Sequence, residues 1–268
     1  MNKKISKSMT IHFIGVGSAF TTSADFHSNI LITVKSGKKM LIDCGSDARF
    51  TTAEWGRNHG ELNPQIDAVY ISHLHADHIG GLEWLAFSTY FNPKAAKPHI
   101  YGVDEHLSRL WKDSLRSGLK YIGDKVTSLT DYFVPHYLKP GKSFVWENIQ
   151  FTTIKMLHVK NSEKNVYSYG LVIEEIDGGP GYLFTSDTVF DDNLLKTLKM
   201  WAPKVRFIFQ DTETTPFRTS VHAHYEDLCS LPIDIRKKMW LYHHSPNPPY
   251  HPKDDGFKGF VSKGQSFG

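Results

Sequence analysis

Residues 68–81, AVYISHLHADHIGG, constrain this chain more than any other stretch. They place His73, His75, Asp77 and His78 within six positions, after an apolar run of β-formers and before Gly80-Gly81. Three imidazoles and a carboxylate this close together repel when charged and lose hydrogen bonds when buried, unless something binds them in common. A metal ion does so. Imidazole nitrogen and carboxylate oxygen are zinc ligands, and alternate positions suit a strand that opens into a loop. In such a loop His73 and His75 share one ion, while Asp77 and His78 turn toward a second. The alternative is a solvated histidine-rich loop. The flanks speak against it, because Ala68–Ile71 reads as a buried strand and 79–85 as the start of an apolar helix.

The rest of the chain must complete such a centre. At 268 residues and 40% hydrophobic it can bury a large core. The net charge is +3, with Lys and Arg scattered, which suits an anionic ligand but not the clustered basic face of a strong nucleic-acid binder. Two cysteines, Cys44 and Cys229, make no disulfide framework and fit a reducing compartment such as the cytoplasm. No apolar run approaches the roughly 20 residues of a membrane span, and the N-terminus reads as a strand rather than a signal peptide.

Strands are expected at 10–16, 29–34 and 39–43, the last two as a hairpin that delivers Asp43 to a strand end. There Asp43 is either a turn former or a carboxylate that orients a metal-binding histidine. Helices are expected at 46–63, at 79–90 and after Asp104 as N-cap, with a short strand at 99–102. Residues 120–140 read as irregular: a lid, a dimer contact or an ordinary loop. Two alternating strands follow at 144–151 and 152–157, and His158 stands at a strand end as His73 does. Strands at 167–174 and 181–185 lead to Asp187, well placed to bridge two ions. A helix opens at Asp191-Asp192. Further strands at 205–209 and 239–242 end at Gln210-Asp211-Thr212 and at His243-His244, with His222-Ala223-His224 before a helical segment at 225–228. The tail alternates at 257–261. Strand runs flanked by helices, with no linker or repeat, predict one α/β domain over 1–268, an αββα sandwich of two mixed sheets.

These residues resemble a known family. His73-Leu74-His75-Ala76-Asp77-His78 is similar to the HxHxDH motif of the metallo-β-lactamase superfamily, and Asp43, His158, Asp187 and His243 fall in that superfamily's order. GVGSAF, LIDCG, HIYG and LYHHSP resemble segments of ribonuclease Z, as do Asp211 after a strand and His222 in place of its HST histidine. The chain departs from that family in reading His222-Ala223-His224 and in carrying Ser186 where a glycine is common. It departs most between His158 and Asp187, only 29 positions apart (187 − 158), too few for the arm with which ribonuclease Z grips tRNA. An arm-less relative resembles instead the cyclic-nucleotide phosphodiesterases of the anti-Pycsar type.

The resemblance implies a metal-dependent phosphodiesterase that opens 3′,5′-cyclic nucleotides to 5′-monophosphates and so defeats cyclic-nucleotide immune signalling. It implies two zinc ions, or manganese, per chain. His73, His75 and His158 hold one ion, Asp77, His78 and His243 the other, and Asp187 bridges them. Asp77 takes the water proton, and His222, oriented by Asp211, donates to the leaving oxygen. His224 and His244 have no settled role. Phe20, Tyr137 and Tyr250 could stack on a base or simply pack. A homodimer in the cytoplasm, the host's if the chain is phage-encoded, is the expected setting, with a small cyclic nucleotide as partner and neither nucleic acid nor membrane. The alternative enzyme is a tRNA 3′-processing endoribonuclease. A different class is a protein that binds a cyclic nucleotide without cutting it.

Overall fold

Strand alternation decides the layering. A computed structural model describes residues 9–62 and 64–268. In the strand Asn29–Val34, Ile30 and Ile32 pack into one apolar cluster and Leu31 into another. The same period of two separates Met40 and Ile42 from Leu41, and Ala68 and Tyr70 from Val69 and Ile71. In the second half of the chain Leu171 and Ile173 join the first cluster, while Val172 faces a third. Strands buried on both faces must be covered on both. Two sheets therefore stack face to face around Phe13, Tyr70, Phe151, Phe209 and Tyr242. Helices cover the outer faces, through Trp55, Leu82 and Leu85 on one side and Leu194, Leu198 and Leu228 on the other. This is the expected αββα sandwich.

Each sheet has seven strands and is mixed. The first runs, in spatial order, Ser266–Phe267, Met9–Gly15, Asn29–Val34, Lys39–Ile42, Ala68–Ile71, His99–Val103 and Val134–Leu138. The second runs Gly259–Phe260, Met239–Tyr242, Val205–Asp211, Gly181–Phe184, Val166–Glu175, Ile149–Val159 and Ser143–Trp146. In the first sheet the strands from Lys39–Ile42 to Val134–Leu138 are mutually parallel. In the second, the strands from Gly181–Phe184 to Gly259–Phe260 are. Asp43, the His73–His78 loop, Asp187 and His243 all leave the carboxyl ends of these parallel strands, the edge at which open α/β sheets place ligands.

Several local expectations need correction. The strands expected at 144–151 and 152–157 are Ser143–Trp146 and Ile149–Val159, because the chain turns at Glu147, whose φ is 53°. Residues 120–140 are not irregular: they hold a small hairpin at 121–126, a helical turn Leu129–Tyr132 and the edge strand Val134–Leu138. The helix expected at 79–90 is two pieces, Ala76–Ile79 and Leu82–Tyr90, parted at Gly80-Gly81. Val103, not Asp104, is the N-cap of Asp104–Leu110. The helix expected at 46–63 spans Ala48–Asn58, position 63 lying outside the described residues, as do positions 1–8 of the N-terminal stretch. The tail pairs at Gly259–Phe260 and Ser266–Phe267 rather than along 257–261. Among the described residues no helix is long and apolar enough to cross a membrane.

Candidate metal centre

Seven expected ligands meet at the carboxyl edge of the two sheets. Ligand atoms of His73, His75, His158 and Asp187 lie within 4.8 Å of one another, and so do those of Asp77, His78, Asp187 and His243. Asp187 belongs to both groups. All seven except His75 are buried. The turn after Lys39–Ile42 lies directly on the motif loop: a Cβ at Gly45 would sit 2.1 Å from the Asp77 carbonyl oxygen. Three residues at this edge, Asp43, Ser186 and His243, have φ near +60°, which side chains other than glycine adopt at a cost. The glycine usual at the Ser186 position would meet that requirement without strain.

The outer nitrogens of His73, His78, His158 and His243 are already engaged, and that fixes which atom of each faces inward. The carboxylate of Asp43 accepts from the Ser72 amide at 2.8 Å, from the Ser72 hydroxyl at 2.7 Å and from His78 Nδ1 at 2.8 Å. Asp43 is therefore an orienting carboxylate rather than a turn former. With its proton given to Asp43, the Ser72 hydroxyl accepts from His73 Nδ1 at 3.0 Å. His158 Nδ1 donates to the Val221 carbonyl at 2.8 Å, and His243 Nδ1 to Ser28 Oγ at 3.0 Å. The Nε2 atoms of His73, His78, His158 and His243 are left to face the centre.

The inward atoms cannot satisfy one another. His75 Nδ1 lies 3.2 Å from His73 Nε2 and 3.0 Å from His158 Nε2, so three ring nitrogens converge with at most one hydrogen among them. Neither His78 Nε2, His243 Nε2 nor Asp187 Oδ1 has a hydrogen-bond partner. Oδ2 of Asp187 lies 3.3 Å from each of the first two. Lone pairs of nitrogen and carboxylate oxygen pointed at a common space call for cations there. The protonation balance says the same. Burial pushes the imidazoles of His73, His75, His158 and His243 down, to about 4 for His158 and about 3 for His243. Burial also opposes charge on His78, yet Asp187, Asp77 and Asp43 hold it well above the usual range. Burial resists ionisation of Asp77 and Asp187 too, but His78 and His243 keep both carboxyls low. Four neutral imidazoles and two ionised carboxylates are in the form a divalent metal takes, and a cation among Asp187, Asp77 and Asp43 would replace the proton they now hold on His78.

Beside this centre, His222 Nδ1 meets Asp211 Oδ2 at 2.8 Å and lies 3.8 Å from Asp187. Asp211 is fully buried and takes further bonds from Gln210 Nε2 at 2.7 Å and the Thr188 amide at 3.2 Å. Burial pushes the Asp211 carboxyl up and works against a charged His222, but the bond to Asp211 prevails and raises the imidazole to about 9. His222 also lines a hollow of about 480 Å³ with Leu157, Lys160, Phe190 and Ser220.

The sequence left some of these groups unremarked. Ser28 lies 215 positions from the histidine it orients, and serine is too common to signal such a role. Ser72 stood inside the motif without being singled out. Of the undecided histidines, His224 is buried, caps the turn Tyr225–Leu228 and bonds the Thr215 carbonyl at 3.0 Å, which explains it as a structural group. His244 packs on Phe260 with ring centres 4.8 Å apart and joins none of the ligand groups. Of the aromatics, Tyr250 stacks on Tyr225 at 4.0 Å, Tyr137 is on the exposed edge strand and Phe20 stands almost free of the surface.

Comparison with known proteins decides the family. A family profile described as "Anti-Pycsar protein Apyc1" matches residues 9–267. The chain belongs to the Apyc1 family. Among curated relatives, Apyc1 of Bacillus phage vB_BveM-Goe7 is 34% identical over 245 residues, 87% of this chain and 88% of that protein. Apyc1 of Paenibacillus harenae is 31% identical, over 88% of this chain and 90% of its own. Solved structures of low identity share the fold. The metallo-β-lactamase fold protein YhfI from Bacillus subtilis has a TM-score of 0.71 at 16% identity, covering 98% of this chain and 100% of its own. The short form of human tRNase Z has a TM-score of 0.65 at 17% identity, covering 97% and 98%. Chain order and layering are thus those of the metallo-β-lactamase fold, in an Apyc1 member whose His and Asp side chains form groups that could hold a metal ion.

Proposed function

We propose that this chain, one hydrolase domain over 1–268, is a dizinc phosphodiesterase that hydrolyses 3′,5′-cyclic nucleotides to 5′-monophosphates and thereby removes an immune signal. The observation that carries the reading is the pairing of two ligand groups through Asp187 with a hydrogen-bonded Asp211–His222 pair beside them. Membership of a family named for acting against Pycsar supports the choice of a cyclic nucleotide.

The side chains divide the work. His73, His75 and His158 would hold one ion, Asp77, His78 and His243 the second, and Asp187 both. Imidazole and carboxylate donors favour zinc, with manganese as the alternative. Metal held there would supply a hydroxide nucleophile at neutral pH and offset charge on the attacking and leaving oxygens. Asp77 would accept the water proton. His222, held cationic by Asp211, donates a proton to the leaving 3′-oxygen, work of the order of 10²–10⁴-fold. Between His158 and Asp187 the chain forms only the hairpin of Ile149–Val159 and Val166–Glu175 and the strand Gly181–Phe184, so nothing there reaches out toward a long RNA. The setting we propose is a cytoplasmic homodimer, the exposed Leu62 and Phe91 beside the helix Leu82–Tyr90 being apolar surface that a second copy could cover.

The test is a panel of 3′,5′-cyclic mononucleotides set against a precursor tRNA, with zinc or manganese supplied. The reading expects rapid opening of at least one cyclic nucleotide and negligible tRNA trimming. Efficient tRNA trimming, or release of unchanged cyclic nucleotide on denaturation with no product formed, would replace it.

A further inference from the structure

His222 is carried on a return segment, 212–224, that leaves the strand Val205–Asp211 and re-enters at the turn Tyr225–Leu228. Main-chain bonds close its neck: Glu213 N to the Ala223 carbonyl at 2.9 Å, and Tyr225 N to the Glu213 carbonyl at 3.0 Å. Its tip has a different restraint. The amide of Thr219 donates to both carboxylate oxygens of Glu213, at 3.0 and 3.1 Å. Glu213 is 6% exposed, and among the described residues no Lys, Arg or His makes an ion pair with it. The neighbouring Arg218 instead pairs with Glu226 at 3.1 Å and with Asp227. A buried carboxylate without a cation is costly. Here it is directed at one main-chain amide.

The three residues after Thr219 give that amide its importance. Ser220 turns through φ 62°, Val221 offers its carbonyl to His158 Nδ1 at 2.8 Å, and His222 Nδ1 reaches Asp211 at 2.8 Å. Fixing the amide at 219 fixes where this turn begins, three residues before the imidazole. Misplacement of a reacting group by about 1 Å can cost on the order of 10²-fold in rate.

We infer that Glu213 is the positioning residue that seats His222, acting through the amide of Thr219. The inference rests on the reading of His222 as the proton donor to the leaving oxygen. The rival account is that Glu213 merely stabilises the fold. The two part on leaving-group dependence, since p-nitrophenolate departs without a proton and a 3′-alkoxide does not.

The experiment measures kcat and KM of metal-loaded Glu213→Ala, Glu213→Asp, Glu213→Gln, His222→Ala and the Glu213→Ala/His222→Ala double variant. The substrates are the best cyclic mononucleotide of a four-base panel and bis-p-nitrophenyl phosphate, and bound metal is counted for each variant. Glu213→Asp keeps the charge but falls one methylene short, so it serves if the alanine variant does not fold. The expected result for both is a kcat about 10–100-fold lower on the cyclic nucleotide, with KM, bound metal and p-nitrophenyl ester turnover within about threefold of the parent. Glu213→Gln, which keeps one acceptor for the amide, recovers most of the kcat, and the double variant is no slower than His222→Ala alone. Equal losses on both substrates, additive losses in the double variant, or a parental kcat in Glu213→Asp would overturn the inference. If His222→Ala is slow while the Glu213 variants behave as the parent, the inference alone falls. A parental kcat in His222→Ala removes the donor reading and the inference together.

Discussion

Ser186 holds a left-handed φ of 56° one position before Asp187, with its hydroxyl buried and unpartnered. Glycine adopts that conformation without the clash of a Cβ, a relief of about 1 kcal/mol. Ser186→Gly is therefore expected to raise the thermal midpoint by about 2–4 °C, read by calorimetry, with Asp187 still in place. A second residue-level consequence concerns Ser28. Its hydroxyl holds the His243 ring through Nδ1, and removal of such an outer partner weakens metal affinity about 10–100-fold. Ser28→Ala is expected to lose one of two metals in a competition titration against a chelator, and retention of both at the parent affinity would show that His243 needs no such orienter. His222 carries a pH prediction. If the protonated imidazole is the donor, its pKa, raised to about 9 by Asp211 and Asp187, makes kcat fall as pH rises through that value. The alkaline limb of the pH–rate profile is expected to disappear in His222→Ala.

Among elements, the strands carrying ligands were legible from the sequence, because a metal site concentrates costly side chains at strand ends and the period of two announces the strands themselves. Asp43, His158 and Asp187 were found for that reason. The turn at Glu147 was not, since alternation continues through residues 144–151 and the turn is held by partners distant in sequence. Glu147 accepts from Lys38 Nζ at 2.6 Å and from Ser36 Oγ at 3.1 Å. Val134–Leu138 was missed for a similar reason: it is a parallel edge strand with a proline in it, paired to His99–Val103 far away in the chain. The strand Met9–Gly15 supplies a prediction of its own. His12 bonds Ser266 Oγ at 2.8 Å and Thr33 Oγ1 at 3.1 Å, and burial with the charge of His59 lowers its pKa to about 4. Between that value and the usual 6.5 the unfolded chain binds the extra proton, so stability falls as pH drops through 6.5 toward 4. Urea midpoints at pH 7 and pH 5 are expected to differ less in His12→Gln than in the parent.

At the scale of the molecule, two sheets bring one set of carboxyl-end loops each to a common edge, and the candidate ligands from either half meet around Asp187. The αββα layering could be read from composition and alternation, and the candidate ligand set from one motif and three later residues, His158, Asp187 and His243, with the help of a family resemblance. The orienting contacts could not, because Ser28 and the Val221 carbonyl reach His243 and His158 only in the folded chain, from 215 and 63 positions away, and Ser72 is a common residue type with no signal of its own. The central claim is that the paired ligand groups and His222 cut the 3′-ester of a cyclic nucleotide by attack of water at phosphorus. Hydrolysis of the preferred 3′,5′-cyclic nucleotide in ¹⁸O-water, with the product analysed by mass spectrometry and phosphorus NMR, tests it most directly. The account predicts a 5′-monophosphate carrying one ¹⁸O on phosphorus, and no product after chelation. A 3′-monophosphate, an unlabelled phosphate, or undiminished turnover in chelator would contradict it.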